Sequence, residues 1–502
     1  KLMATLSELR QVRIEKLEKL KTLGVDPFPP TSYKSHSNIV FHESFEKLEG
    51  NEVVASGRIV SIRKHGKLAF IDLKDATGKI QLYIKEDALL NPDHTKSEIG
   101  FEELNLLDSG DFAEGKGILT KTQRGEVSVE VTSIRILTKS LRPLPDMWDG
   151  LKDKETRLRR RYIDTNINPD VYQRFIRRSK FWEAHRDFFK KQGFMEMNIP
   201  VLETTPGGAD ANPFVTHMDV LDQDFYLRIS QELYLKRLIG GGYEKVYEIG
   251  PRFRNEGISD EHLPEHIAME FYWAYADWND GMKFIKNLFR YVAEEVYGTQ
   301  KFEIKGFNVD FGKEWEIIDY SEIFKEKFGL DIFNSDFDDA KKILEKKHIK
   351  IDKNMNFGRG VDSLWKTIRK DIQGPAFVVN EPKFLSPLAK ANPSNPKYAM
   401  RFHPIVAGGE LGNGFSELND PVDQYERFKE QQSMRDSGDA EAQFLDIDFV
   451  EMLEYGMPPT LGYGHSERVF WFLENVSARE GVPFPQLRHE IDSVTKGIYG
   501  LE

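Results

Sequence analysis

Residues Val246–Ala276 read VYEIGPRFRNEGISDEHLPEHIAMEFYWAYA. The pattern predicts two strands joined by a loop. Arg254 and Glu256, near the end of the first strand, are two apart and so share a face, as do Glu270 and Tyr272 in the second. Gly257–His266 between them holds Gly, Ser, Asp and Pro, the composition of a loop. The surroundings are apolar: Val246, Ile249, Phe253, Ile267, Met269, Phe271 and Trp273. Charged groups buried there are costly unless something pairs with them. Two readings stand open. One is an internal network of ion pairs; the other is a sheet floor whose polar face holds a charged ligand.

Other stretches bear on that choice. Phe402–Asp420 reads FHPIVAGGELGNGFSELND, with strands predicted at Phe402–Val406 and Leu411–Leu418. Asn413, Phe415 and Glu417 alternate there and share one face. Pro458–Glu474 reads PPTLGYGHSERVFWFLE, a Gly-x-Gly followed by Glu467-Arg468 and an apolar helix. Thr204–His217 reads TTPGGADANPFVTH; it is glycine-rich but lacks the Gly-Lys-Ser/Thr of a phosphate-binding loop. Ser230–Leu238 opens a helix with Glu232 in its first turn, where the helix dipole favours a carboxylate. Asp170–Gln192 is a long amphipathic helix, and Gly193–Pro200 after it is a strand ending in proline. Lys301 to about Lys370 reads as a charged helical insertion with a loop at Asn354–Gly360, and it carries no assigned chemistry.

The amino-terminal third differs. Thr5–Leu23 is a predicted helix with Leu6, Leu9, Leu17, Leu20 and Leu23 at helical spacing, a cap at Thr5 or Ser7 and a stop at Gly24. Its other face carries Arg10, Arg13, Lys16, Lys19 and Lys21, a solvated face or a contact for a nucleic-acid backbone. Val53–Ile62, Leu68–Leu73, Ile80–Ile84, Gly115–Thr122 and Val127–Leu137 read as short strands. Three strands, an interruption and two more fit a five-stranded OB barrel. Phe70, Gln81 and Tyr83 lie on its central strands, either in the barrel core or on a face that stacks and reads bases. Ser140–Asp149, with Pro143 and Pro145, is the predicted linker.

At 502 residues the chain accommodates two or three domains. The expected division is 1–148 and 149–502, the second part carrying the helical insertion near 310–380. Net charge is −12, which argues against a generic nucleic-acid coat while leaving room for a local basic surface. With no cysteine the chain has neither disulfides nor a thiolate zinc site, a composition compatible with the cytoplasm. No apolar run approaches the roughly 20 residues of a membrane span, and the charged start lacks the apolar core of a signal peptide.

FRNEGISDEHLPEH resembles the second signature of the class II aminoacyl-tRNA synthetases, and the wording from ISQELYLKRL to MEFYWAYAD resembles the lysyl-tRNA synthetases among them. ELGNGFSELND matches that family nearly word for word, and the stretch around Arg468 resembles the third signature. The resemblance runs from the amino-terminal helix to Arg488. It implies an α+β architecture: an OB barrel for the anticodon, then a class II antiparallel sheet flanked by helices, as a homodimer. It also implies ATP-dependent activation of L-lysine and transfer to tRNA(Lys), with Mg²⁺ as cofactor. By resemblance, Arg254 holds the α-phosphate and the lysine carboxylate, and Arg468 and His262 hold the outer phosphates. Glu256 accepts from the adenine amino group, and His266 and Arg468 pack on the adenine faces. Gly208, Glu232, Glu270, Tyr272, Asn413, Phe415 and Glu417 form the lysine pocket. Phe70, Gln81 and Glu126 read the anticodon, with Arg58 and Arg63 on phosphates.

Four departures from the family pattern stand out. Glu261 occupies a position usually held by Arg, Asn212 another, and His403 takes the place of a second acidic metal ligand beside Glu410. The third signature is one residue short and lacks its third glycine. Imidazole suits magnesium poorly, so the number of metal ions is open. Glu232, Glu270 and Glu417 together repel one another unless a cation is bound, which suits the two ammonium groups of lysine and not aspartate or asparagine.

Overall fold

The computed structural model describes residues 5–145, 151–351, 355–439 and 441–501. Residues 146–149 of the predicted linker lie outside them. The chain divides into two compact units, Lys1–Lys152 with Arg488–Glu502, and Asp153–Leu487. The tail after Leu487 therefore groups with the amino-terminal unit.

In the first unit a helix spans Leu6–Thr22. Thr5 caps it: its hydroxyl oxygen accepts from Glu8 N at 3.3 Å while the Glu8 carboxylate accepts from Thr5 N at 2.7 Å. The predicted basic face is only partly solvated. Arg13 is buried and donates to Ser140 Oγ at 2.6 Å, and Lys16 pairs with Asp108 at 2.6 Å. Strands Glu52–His65, Leu68–Lys74, Lys79–Lys85, Phe112–Lys121 and Val127–Thr138 close a barrel in the order first, second, third, fifth, fourth. The third and fifth pair in parallel, and the others are antiparallel. Alternation sends Ala69, Ile71, Leu73, Ile80, Leu82 and Ile84 into the core. Each fully buried Leu or Ile contributes about 1.5–3 kcal/mol.

The second unit is built on a nine-stranded sheet. Its main path runs Glu316–Asp319, Ala376–Val379, Arg401–Val406, Asn413–Ser416, Thr460–Ser466, Glu265–Ala274, Lys245–Phe253, Met195–Glu196. The interior pairings are antiparallel; the pair at each end is parallel. The decisive hairpin splits by alternation. Ile249, Ile267, Met269, Phe271 and Trp273 turn to one face and pack with Phe181, Phe188, Phe189, Phe284 and Leu288 of helices Pro169–Lys191 and Trp278–Tyr297. Glu248, Arg252, His266, Glu270 and Tyr272 take the other face, leaving it polar.

The predicted insertion needs correction. Lys301–Ile304 and Phe307–Asp310 form a hairpin, and Glu316–Asp319 belongs to the main sheet. Helices cover only Tyr320–Phe328, Phe337–Lys346 and Phe357–Ile368. The last begins inside the predicted loop, because Asn356 Oδ1 accepts from Arg359 N at 2.9 Å and caps it. Gly360, read as a loop residue, is buried in that helix, where Ala340 and Leu344 of the neighbouring helix cover it.

Candidate active site

The polar face of the sheet lines a cavity of about 840 Å³. Two glycines make the room. Gly462 lies opposite Tyr272, and Gly464 opposite Glu270. A Cβ at Gly462 would lie 1.9 Å from Glu417 Oε1 and 2.5 Å from Tyr272 Cε1; at Gly464 it would lie 2.9 Å from Glu270 Cγ. The shortened third signature keeps its strand intact through Ser466. The turn into the helix Arg468–Leu473 is fixed by buried Glu467, which accepts from Ile267 N at 3.0 Å and pairs with Arg178 at 2.6 Å.

One side of the cavity is acidic. Glu270 accepts from Ser230 Oγ at 2.8 Å and from the Tyr272 hydroxyl at 3.0 Å, and pairs with Arg252 at 3.3 Å. Glu232 and Glu417 share one cation: Lys236 Nζ is 2.7 Å from Glu232 Oε1 and 2.5 Å from Glu417 Oε2. The expected cluster of carboxylates awaiting a cation is thus already paired with residues of the chain. Glu417 Oε1 is the exception, buried with no hydrogen-bond partner. Asn413 Oδ1 accepts from Arg401 Nε at 2.7 Å, and Phe415 is buried beside it. Gly208 (φ +86°) brings its backbone against Glu232 and Ser230, too close for a Cβ.

The middle of the cavity carries the arginines. The strand ends at Phe253, so Arg254 and Glu256 lie in the loop and do not alternate on one strand face as predicted. Arg252 takes that face instead. Its Nε donates to His266 Nε2 at 2.9 Å, which leaves His266 Nδ1 to donate to the Leu263 carbonyl at 3.0 Å. Burial, with Arg252 and Arg254 nearby, holds His266 well below its ordinary pKa, so the ring is neutral. Burial, then Arg254, lowers Arg252 to about 10, where it keeps its charge at neutral pH. Arg254 Nε is buried without a hydrogen-bond partner. Glu256 is exposed.

On the remaining side, Arg468 donates Nη1 to the Glu410 carbonyl at 3.2 Å and pairs through Nη2 with Glu261, which also pairs with Lys305. The residue standing where arginine was expected therefore holds the arginine of the third signature. Burial and Arg468 lower His262 to about 4, so it offers a neutral ring. His403 lies between two carboxylates, 3.0 Å from Glu381 and 2.9 Å from Glu410. Burial opposes its charge, but Glu410 and Glu381 carry its pKa up to about 9. His403, the doubtful second metal position, here sits as the ion-pair partner of Glu410 and Glu381. The other Glu410 oxygen accepts from Trp365 Nε1 at 3.1 Å. Among the described residues no group of three acidic, His or Cys side chains forms a metal site.

The cavity gathers Gly208, Glu232, Arg254, Glu256, His262, His266, Glu270, Tyr272, His403, Glu410, Asn413, Phe415 and Arg468. Glu417 is not among the lining residues; its Oε1 lies behind Gly462, which is. Sequence reasoning missed Arg252, Lys236, Trp365, Glu381 and Arg401. Two of these left a signal: Arg252 alternates with Glu248, and Lys236 stands one helical turn after Glu232. On the barrel, Phe70 stacks on Tyr83 with centroids 5.4 Å apart, and Gln81 accepts from Ser128 Oγ at 3.1 Å, all outside the core. Arg63 pairs with Asp72 at 3.1 Å on that same face. Glu126 is exposed in the turn before the fifth strand. Arg58 is engaged elsewhere, bonded to the Gly110 carbonyl at 2.9 Å and lying 4.2 Å over the Phe112 ring.

With this geometry in hand, comparison defines the class. Residues 153–488 match the tRNA synthetases class II (D, K and N) family, and residues 53–137 match the OB-fold nucleic acid binding domain. The chain belongs to the class II tRNA synthetases and is an aminoacyl-tRNA ligase. Relatives narrow the branch. Lysine–tRNA ligases of Fervidobacterium nodosum and Thermotoga maritima are each 41% identical, covering 97% and 96% of this chain and 95% and 96% of theirs. That of a Roseiflexus species is 42% identical over 96% of this chain and 99% of its own. Within its class, the chain belongs to the lysine–tRNA ligase family.

Proposed function

We propose that this chain activates L-lysine with ATP and transfers the lysyl group to the 3′ end of tRNA(Lys). The lysine carboxylate attacks the α-phosphorus, the bond to the β-phosphate oxygen breaks, and pyrophosphate leaves. The terminal ribose hydroxyl of tRNA then takes the lysyl group and AMP leaves. The first step requires no general base, since a carboxylate is ionised at neutral pH; it requires alignment and charge neutralisation.

The observation that supports this reading is that Arg254, whose Nε is buried without a hydrogen-bond partner, lines the cavity, while the bare Glu417 Oε1 lies directly behind the cavity's glycine floor at Gly462. An amino acid with a terminal ammonium and a carboxylate satisfies both. In this reading Glu417 and Tyr272 take the ε-ammonium, while Glu232, Glu270 and the Gly208 backbone take the α-ammonium. Asn413 and Phe415 complete the wall. Arg254 neutralises the reacting carboxylate and α-phosphate. Arg468 and His262 hold the outer phosphates, His262 as a neutral hydrogen-bond donor. Glu256 accepts from adenine, and His266 stacks on it. Mg²⁺ would enter with the nucleotide, with Glu410 as its protein contact, and would supply neutralisation of phosphate charge. Phe70, Gln81, Glu126 and Arg63 form the anticodon-reading face; Arg58 has the weaker claim. A cytoplasmic homodimer is part of the same proposal, and no helix among the described residues is long and apolar enough to cross a membrane.

ATP–pyrophosphate exchange with lysine, aspartate and asparagine in parallel tests the reading. Exchange with lysine alone is expected. Exchange with aspartate or asparagine would overturn the pocket assignment, and exchange with none would overturn the activity.

A further inference from the structure

The strongest unassigned group in the molecule is Lys236. It lies on the helix Glu232–Gly240, is fully buried, and spans two carboxylates assigned above to the substrate. Buried lysine is costly to keep charged, and nature rarely keeps one without a use or a pair. Here the pair is unequal. Lys236 engages Glu417 through Oε2 only and leaves Oε1 bare. Oε1 points over Gly462, where any Cβ would fill the space.

We propose that Lys236 is a resident ammonium of the amino-acid pocket, a positioning residue that sets its specificity. It tethers Glu232 and Glu417, so that Glu417 presents its free oxygen toward a side-chain ammonium. This rests on the lysine-pocket reading above.

The charge count supports it. Glu232, Glu270 and Glu417 face Lys236 and Arg252. Three carboxylates against two cations leave one net negative charge, so the pocket still attracts the cationic groups of a ligand. Burial pushes the Glu417 and Glu232 carboxyls up, each raises the other, and Lys236 is the largest opposing influence on both. Without Lys236, two facing buried carboxylates cannot both stay ionised, and one takes a proton. A protonated Glu417 no longer attracts an ammonium as an anion does. Glu270 adds to that pressure from the adjacent strand, and Tyr272 beside it stays neutral.

The test is Lys236→Met in ATP–pyrophosphate exchange. Expected is a rise in the lysine KM on the order of tenfold or more, with the ATP KM within about twofold of wild type. The lysine KM of the variant relative to wild type at the same pH should fall as pH rises from about 7 to about 9, as the vacated carboxylates ionise. A purely structural role would not produce that profile. Where the Met variant fails to fold, Lys236→Gln keeps a donor between the carboxylates and removes only the charge, and the same shifts are expected. A folded variant with unchanged lysine KM, or one whose ATP and lysine KM rise together, overturns the proposal. Wild-type exchange run beside it separates the two levels: no lysine-dependent exchange in wild type overturns the pocket reading itself.

Discussion

Gly462→Ala tests the floor of the pocket with one methyl group. The added Cβ would lie 1.9 Å from Glu417 Oε1 and 2.5 Å from Tyr272 Cε1. Neither neighbour yields freely. Glu417 is tethered by Lys236 at 2.5 Å, and the Tyr272 hydroxyl by Glu270 at 3.0 Å. Overpacking of this kind costs about 1–3 kcal/mol. Displacing Glu417 removes a charged hydrogen bond to substrate worth roughly 1.5–3 kcal/mol. The second figure sets the kinetic effect, a rise in lysine KM of roughly tenfold to a hundredfold. The first sets the melting effect, a drop of about 2–6 °C in a unit of this size. Exchange kinetics with lysine and with ATP varied separately give the first quantity, and thermal unfolding gives the second. A variant that melts lower yet keeps its lysine KM within twofold of wild type refutes the placement of Glu417 Oε1 as the ammonium acceptor.

Further expectations use the same logic. Glu417→Gln should raise lysine KM strongly and leave ATP KM alone; equal changes in both would remove Glu417 from the amino-acid pocket. Glu261→Gln removes the anion paired with Arg468 and should lower the ATP KM several-fold, as read by exchange at saturating lysine; a higher ATP KM would show that Glu261 aids nucleotide binding. Phe70→Ala should raise the tRNA KM in aminoacylation while leaving exchange untouched, and any loss of exchange would refute a role confined to the barrel. Glu203 has a stability signature: burial raises its carboxyl to about 9, and its Oε2 has no partner. The folded protein holds a proton there that the unfolded chain releases, so this stabilisation is complete below the ordinary carboxylate range and declines as pH rises toward about 9. Glu203→Gln should flatten the fall in melting temperature between about pH 6 and about pH 9, and an unchanged slope would exclude Glu203 as its source.

The hairpin Val246–Ala276 was legible because alternation is local: a period of two sorts side chains onto faces without knowledge of the neighbours. The barrel was legible for the same reason, although its first strand runs on to His65, three residues past the predicted end at Ile62. The end of the first strand was less so. Arg254 continues the alternation in sequence, but the backbone leaves the strand at Phe253, and Arg252 becomes the arginine on the sheet face. The hairpin Lys301–Asp310 was readable and was missed. Lys305 and Gly306 both take positive φ, as a two-residue turn needs, and Phe302, Ile304, Phe307 and Val309 flank it. The charged residues around them masked that pattern. What no local rule supplies is the identity of partners. His403 looked like a poor metal ligand until Glu381, 22 residues earlier, appeared on its other side. Trp365 reaches Glu410 from a helix 45 residues away.

Those distant partners explain how a site so dense in charge stays folded when no substrate is bound. Each charged region carries its own counter-ion: Lys236 for the carboxylates, His403 for Glu410, and Glu261 for Arg468. Unpaired buried charge would cost several kcal/mol per group, more than a marginally stable unit can bear at several positions. The counter-ions are not equivalent. Lys236 is completely buried on a helix and has no route out, so substrate must bind alongside it. Glu261 is a quarter exposed, on the loop between Phe253 and Glu265, and a triphosphate competes with it directly for Arg468. Nucleotide affinity therefore includes the cost of breaking an ion pair, whereas amino-acid affinity does not. The asymmetry predicts that salt, which screens the part-exposed pair more than the buried one, perturbs ATP KM more than lysine KM. Steady-state exchange across a range of potassium chloride concentrations measures both, and a lysine KM that responds more steeply than the ATP KM would refute the distinction drawn between the two counter-ions.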